Sequence, residues 1–143
     1  MTFAGMNYLA ILVAAIAAWL VGGGYYTALS KQWIAAQGIS AEAMKARHEA
    51  VKGTPAAWLP FVLVFVGELI IAWVLAGIMG HIGALSVRGG LISAAFVWFG
   101  FVLTTVVGNY AFHGRTYTLM AIDAGGWLLA FLVIGAILGA WGA

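Results

Sequence analysis

The chain of 143 residues is 65% hydrophobic and only 7% charged, with a net charge of +2. Soluble domains carry about 25% charged residues, so this composition, with a mean hydropathy of +1.08, excludes a water-covered globule. The absence of cysteine excludes disulfides, thiolate metal sites and thiol redox chemistry, and six scattered Lys and Arg do not make a nucleic-acid surface.

At about 20 apolar residues per crossing, the apolar stretches fill four spans. They predict an all-α membrane protein: a single domain over residues 1–143, built as a bundle of four transmembrane helices with a short interfacial helix between helices 1 and 2. Met1 to Asn7 carry no charged side chain, unlike the basic start of a secretory signal, so the first helix is expected to be retained. Helix 1 is expected over about 8–26. Its Ala14, Ala18 and Gly22 recur every four residues on one face, where small side chains let a neighbouring helix approach closely. The run Gly22-Gly23-Gly24 weakens its end, and Tyr25, Tyr26 and Trp33 are placed as anchors at the membrane surface.

Residues 27–57 are the one long polar stretch. Within it, about 40–52 reads as a connecting helix capped by Ser40 and supported by the pairs Lys45–Glu49 and Glu49–Lys52. Gly53 stops it, and Thr54 and Pro55 look like the cap and first residue of helix 2. That helix, about 56–80, carries Glu68 near mid-span, followed at spacing four by Ala72, Ala76 and Gly80. Helix 3 is expected over about 88–112, with a polar stripe of Thr105, Asn109 and His113. A tight turn through His113, Gly114 and Arg115 leads to helix 4, about 118–141, which contains Asp123 and the Gly135-xxx-Gly139 spacing.

Lys31, Lys45, Arg47 and Lys52 lie in the first connection and Arg115 in the third; only Arg88 lies beside the second. The positive-inside rule then places connections 1 and 3 in the cytoplasm. The expected location is the bacterial inner membrane with both termini periplasmic. The two halves also echo each other: Gly24-Tyr25-Tyr26 precedes a helix carrying Glu68 and Trp73, and Gly108-Asn109-Tyr110 one carrying Asp123 and Trp127.

A charged carboxylate at a helix centre costs about 3 kcal/mol on insertion scales. Glu68 shares its face with the Ala72–Ala76 seam, so it is expected to point at protein. Buried without a cation, a neutral carboxyl that releases its proton when a path opens suits proton-coupled transport. Glu68, Thr105, Asn109, His113, Arg115 and Asp123 are expected to converge in the cytoplasmic half. Structural readings stand beside this one. Arg115 and Asp123 suit a salt bridge tying the turn to helix 4, Asn109 suits a bond across helices, and His113 suits a turn cap rather than a metal ligand.

Enzymatic signatures are lacking. Lys52 stands where His48-Glu49 would need a second histidine for H-E-x-x-H, and no phosphate loop occurs. No enzyme activity, metal or cofactor is therefore expected. Two functional classes remain. One is a small proton- or cation-coupled transporter or channel using Glu68, with Asn109 and Asp123 lining its cavity. The other is a structural or interaction protein whose polar residues lock the bundle. The small-residue seams exceed what four helices need, which predicts a homo-oligomer in the lipid bilayer, in contact through Gly135 and Gly139.

The segments Gly24-Tyr25-Tyr26-Thr27-Ala28-Leu29-Ser30-Lys31-Gln32-Trp33 and Asn109-Tyr110-Ala111-Phe112-His113-Gly114-Arg115 resemble a family of small bacterial membrane proteins, catalogued as domain of unknown function 1761. The resemblance covers nearly the whole chain. It implies four membrane helices and adds weight to Tyr26, Trp33, Asn109, Tyr110 and Arg115, while carrying no activity. Relatives tend to have an acid where this chain has His113, so no ion-pair role is carried over to that position.

Overall fold

Each of the four apolar stretches forms a long helix in the computed structural model, which describes residues 2–3 and 5–142. Met1, Ala4 and Ala143 lie outside the described residues. A two-residue antiparallel pairing of β1 (Thr2–Phe3) with β2 (Met6–Asn7) precedes α1 (Tyr8–Ala28). Asn7 caps α1 by accepting the Ala10 N–H at 3.2 Å. Then follow α2 (Ser30–Ala36) and α3 (Ala41–Val51). Ser40 caps α3, accepting the Ala43 N–H at 3.1 Å, and Gly53, with φ of +78°, supplies the left-handed residue that turns the chain. Pro55 opens α4 (Pro55–Ile82), where its missing N–H has no partner to lose.

The third span, Val87–Phe112, has three parts: α5 (Val87–Val97), a π-helical turn (Trp98–Leu103) and α6 (Thr104–Phe112). The last is α7 (Tyr117–Trp141). All four spans are long and apolar enough to cross a membrane. Their bounds fall within two residues of those expected. Helix α2 was not foreseen, and of the two pairs proposed for α3 only Lys52–Glu49 forms, at 3.5 Å. It is exposed, so it adds little stability.

The packing is built around α7, which lies against α5 and α1, with α4 chiefly on α1. Ala14 and Ala18 of α1 and Ala72 and Ala76 of α4 are all buried, as their spacing requires, whereas Gly80 is exposed. The α5–α7 contact is closer still. A Cβ added at Gly90 would collide with the Gly135 carbonyl, and one at Gly139 with the Ser86 carbonyl. Gly135 and Gly139 are therefore consumed inside the chain, both buried, and are not available as the contact with a second copy that their spacing suggested. Leu75, Met79, Ile134 and Leu138 fill the centre, while Phe96, Phe99 and Phe101 point outward.

Candidate functional site

Asp123, one and a half turns into α7, gathers the polar chemistry. Tyr26 Oη donates to its Oδ1 at 2.8 Å, Trp33 Nε1 donates to the same oxygen at 3.0 Å, and Tyr110 Oη donates to Oδ2 at 2.6 Å. Three donors on one carboxylate, from α1, α2 and α6, are charge-assisted bonds of the stronger kind. Two further bonds reach the α7 backbone close by. Tyr25 Oη donates to the Ile122 carbonyl at 2.8 Å, and Trp98 Nε1 to the Ala124 carbonyl at 2.9 Å. Thr116 donates to the Ala36 carbonyl at 2.8 Å and accepts the Leu119 N–H at 3.2 Å, tying the end of α2 to the start of α7.

Local sequence makes this possible. Asp123 is followed two residues later by Gly125-Gly126. A Cβ at Gly125 would lie 2.8 Å from Tyr25 Oη, and one at Gly126 would lie 2.9 Å from Tyr26 Oη. The bare backbone is the bed on which both rings lie. Tyr26 meets Tyr25 and Trp33 edge-on, with ring centres 5.3 and 6.0 Å apart, the arrangement aromatic quadrupoles favour. The short helix α2 exists to good effect: it turns Trp33 back onto α7.

Between Trp33 and Tyr110 opens a cavity of about 480 Å³, with Gln37, Asn109, His113, Arg115 and Asp123 on its walls. Four of the six residues expected to converge are thus brought together: Asn109, His113, Arg115 and Asp123. Thr105 is not among them. It is exposed and donates to the Phe101 carbonyl of its own span at 2.6 Å. His113 Nδ1 lies 2.6 Å from the Asn109 carbonyl, closing the end of α6 as a turn cap would.

Three placements differ from those the sequence leads one to expect. Arg115 and Asp123 form no salt bridge, and the one ion pair among the described residues is Lys52–Glu49. The carboxylate is served by neutral donors, and the guanidinium is left facing the cavity. Tyr25, Tyr26 and Trp33 turn inward onto α7 rather than outward as surface anchors, because Asp123 and the α7 carbonyls offer them acceptors. Glu68 lies apart. It is 3% exposed and its Oε2 is buried without a hydrogen-bond partner. It faces Gly22, where an added Cβ would lie 3.8 Å from Oε1, and it is not part of the cavity wall.

Sequence reasoning missed Gln37, the glycine bed and the role of the aromatic motif residues as donors to Asp123. The glycine pair beside an intramembrane acid was the signal that could have found them.

A family model described as a protein of unknown function (DUF1761) matches residues 9–139. That stretch contains the whole Asp123 network. No curated protein and no solved structure matches the chain.

Proposed function

This chain belongs to the family of proteins of unknown function DUF1761, and we propose that it is a membrane protein that binds a small zwitterion in the cavity beside Asp123. The observation that carries this reading is that Arg115 and Asp123 face one cavity without neutralising each other. A guanidinium with no ion pair among the described residues offers a planar fork for a phosphate or carboxylate. Among the described residues Asp123 Oδ2 accepts only the Tyr110 hydroxyl, and a carboxylate has about four acceptor positions, so it retains capacity for an ammonium. Trp33 and Tyr110 also line this cavity, and aromatic rings attract the same positive group. The volume of about 480 Å³ falls within the range of about 300–1,000 Å³ usual for small-molecule sites. The network behind Asp123 acts as the lock that holds this wall rigid. The five Lys and Arg of connections 1 and 3 support placing the cavity at the cytoplasmic surface, with both termini across the membrane.

Glycerophosphoethanolamine, titrated into the protein in maltoside micelles, is expected to raise the melting temperature saturably. The gain corresponds to about 2.7 kcal/mol at a hundred times Kd. Glycerol phosphate and ethanolamine, each lacking one charge, are expected to bind at least about tenfold more weakly. Arg115→Gln should lose about tenfold in affinity, one charged hydrogen bond's worth, and Lys52→Gln nothing. A response that survives Arg115→Gln unchanged would sink the proposal.

One observation favours a second reading, a proton- or cation-coupled transporter using Glu68: a buried carboxyl oxygen has no hydrogen-bond partner among the described residues, and intramembrane acids are costly to retain. Gly22, which faces Glu68, and Tyr26, which holds Asp123, are one turn of α1 apart, about 6 Å along the axis. Glu68→Gln keeps the shape and loses no bond, so it is expected to melt within about 2 °C of wild type. In liposomes under a pH gradient, this reading expects ion flux in wild type and none in the variant. Equal flux in both would remove Glu68 from any transport step.

A further inference from the structure

A second cavity, about 300 Å³, adjoins the first and shares Tyr110 and Arg115 as walls. Its other walls include Val107, Ala111, Tyr117 and Met120, so away from Arg115 it is mainly apolar. It lies where α6 packs only loosely on α7, held there by the Tyr110–Asp123 bond: none of the α6 residues is buried. Tyr117 is 84% exposed at its rim, so the cavity opens to the outside of the chain rather than into its core.

The order of chemistry across the two cavities is carboxylate, guanidinium, apolar wall. A zwitterionic phospholipid presents the complementary order: ammonium, phosphate, acyl chain. We infer that the occupant of the site is such a lipid, taken from the surrounding bilayer. Its phosphate sits at Arg115, its ammonium faces Asp123, Trp33 and Tyr110, and the start of an acyl chain lies between Val107, Ala111 and Met120. The inference rests on the zwitterion reading above and adds the chain to it. Arg115 is the one charged wall common to both cavities. That is where a phosphate joining head to tail must lie. Neither cavity alone would specify an amphiphile: the first fits any small zwitterion and the second any apolar group.

The test compares dihexanoyl phosphatidylethanolamine with its deacylated head, glycerophosphoethanolamine, on the full chain in maltoside micelles. The acylated form is expected to bind at least about tenfold more tightly, because burying even two methylenes is worth about that factor. Ala111→Trp fills the apolar cavity from an exposed position. It should abolish the gain while leaving affinity for the head within about twofold; Met120→Trp serves as an independent filling variant. Dihexanoyl phosphatidylglycerol, which has no ammonium, should bind more weakly than the ethanolamine lipid. A gain that persists in both filled variants would reflect partition into the micelle and would overturn the lipid inference alone. So would equal binding of lipid and head. If neither lipid nor head binds in an Arg115-dependent way, the zwitterion reading falls as well.

Discussion

Replacing Asp123 with alanine is expected to lower the stability of the protein by at least about 3 kcal/mol, more than any other single polar substitution in the chain. Hydrogen bonds between membrane helices average only about 0.6 kcal/mol, which would predict a small loss if each bond acted alone. Two features of Asp123 argue for the larger value. All three donors converge on one carboxylate, and truncation strands three part-buried donors together, each at about 1–3 kcal/mol. Asp123→Asn keeps one carbonyl oxygen but turns an NH₂ group toward one set of donors, so an intermediate loss of about 1–2 kcal/mol is expected. Melting of wild type, Asp123→Ala and Asp123→Asn in one detergent measures both. Near-equal melting of all three would mean that the aromatic residues hold their places by packing alone.

Gly135→Ala should destabilise by about 1–3 kcal/mol, the usual cost of forcing atoms into a full core. The facing atom is the Gly90 backbone carbonyl, which cannot rotate aside as a side chain can, so α5 and α7 must separate. Gly108→Ala is the internal control. Gly108 lies inside α6, and an added Cβ there would meet nothing within 4 Å. The same substitution should therefore stabilise, by up to about 1 kcal/mol through helix propensity. Opposite signs for one chemical change at two helical glycines are the expected result in detergent melts. A neutral Gly135→Ala would show that α5 and α7 can part without cost at the Gly90–Gly135 approach.

The spans were legible because hydropathy and length determine them with little help from tertiary structure. The Ala14–Ala18 and Ala72–Ala76 seams were legible for a related reason, since spacing four specifies one face and small residues specify close approach. Partner choice was not. The Gly135–Gly139 spacing signals a contact but carries no address, and the address proved to be Ser86 and Gly90 of the same chain. The cavity was half legible. Asn109, His113, Arg115 and Asp123 were placed in one half of the bundle by counting residues, but counting could not say which donor Asp123 would choose. The expected Arg115 pairing followed from charge and sequence nearness. The carboxylate instead takes Tyr26 and Trp33, about ninety residues away in the chain, because α1 and α2 pack on α7. The echo between the two halves also failed to predict chemistry: Asp123 has three donors, whereas Glu68 Oε2 has none.

The π-helical turn at Trp98–Leu103 sets the angular phase of everything after it. Twelve steps of about 100° in an uninterrupted α-helix would leave Tyr110 roughly 120° around the axis from Trp98. Accommodating one extra residue in the wider turn removes one step, and the offset shrinks to about 20°. Both side chains can then address α7, Trp98 at Ala124 and Tyr110 at Asp123. The stripe of Thr105 and Asn109 is swung out of the core by the same rotation. Shortening this turn by a single residue would leave the hydropathy of the span almost untouched, yet it would unscrew the hydroxyl from the acid it serves.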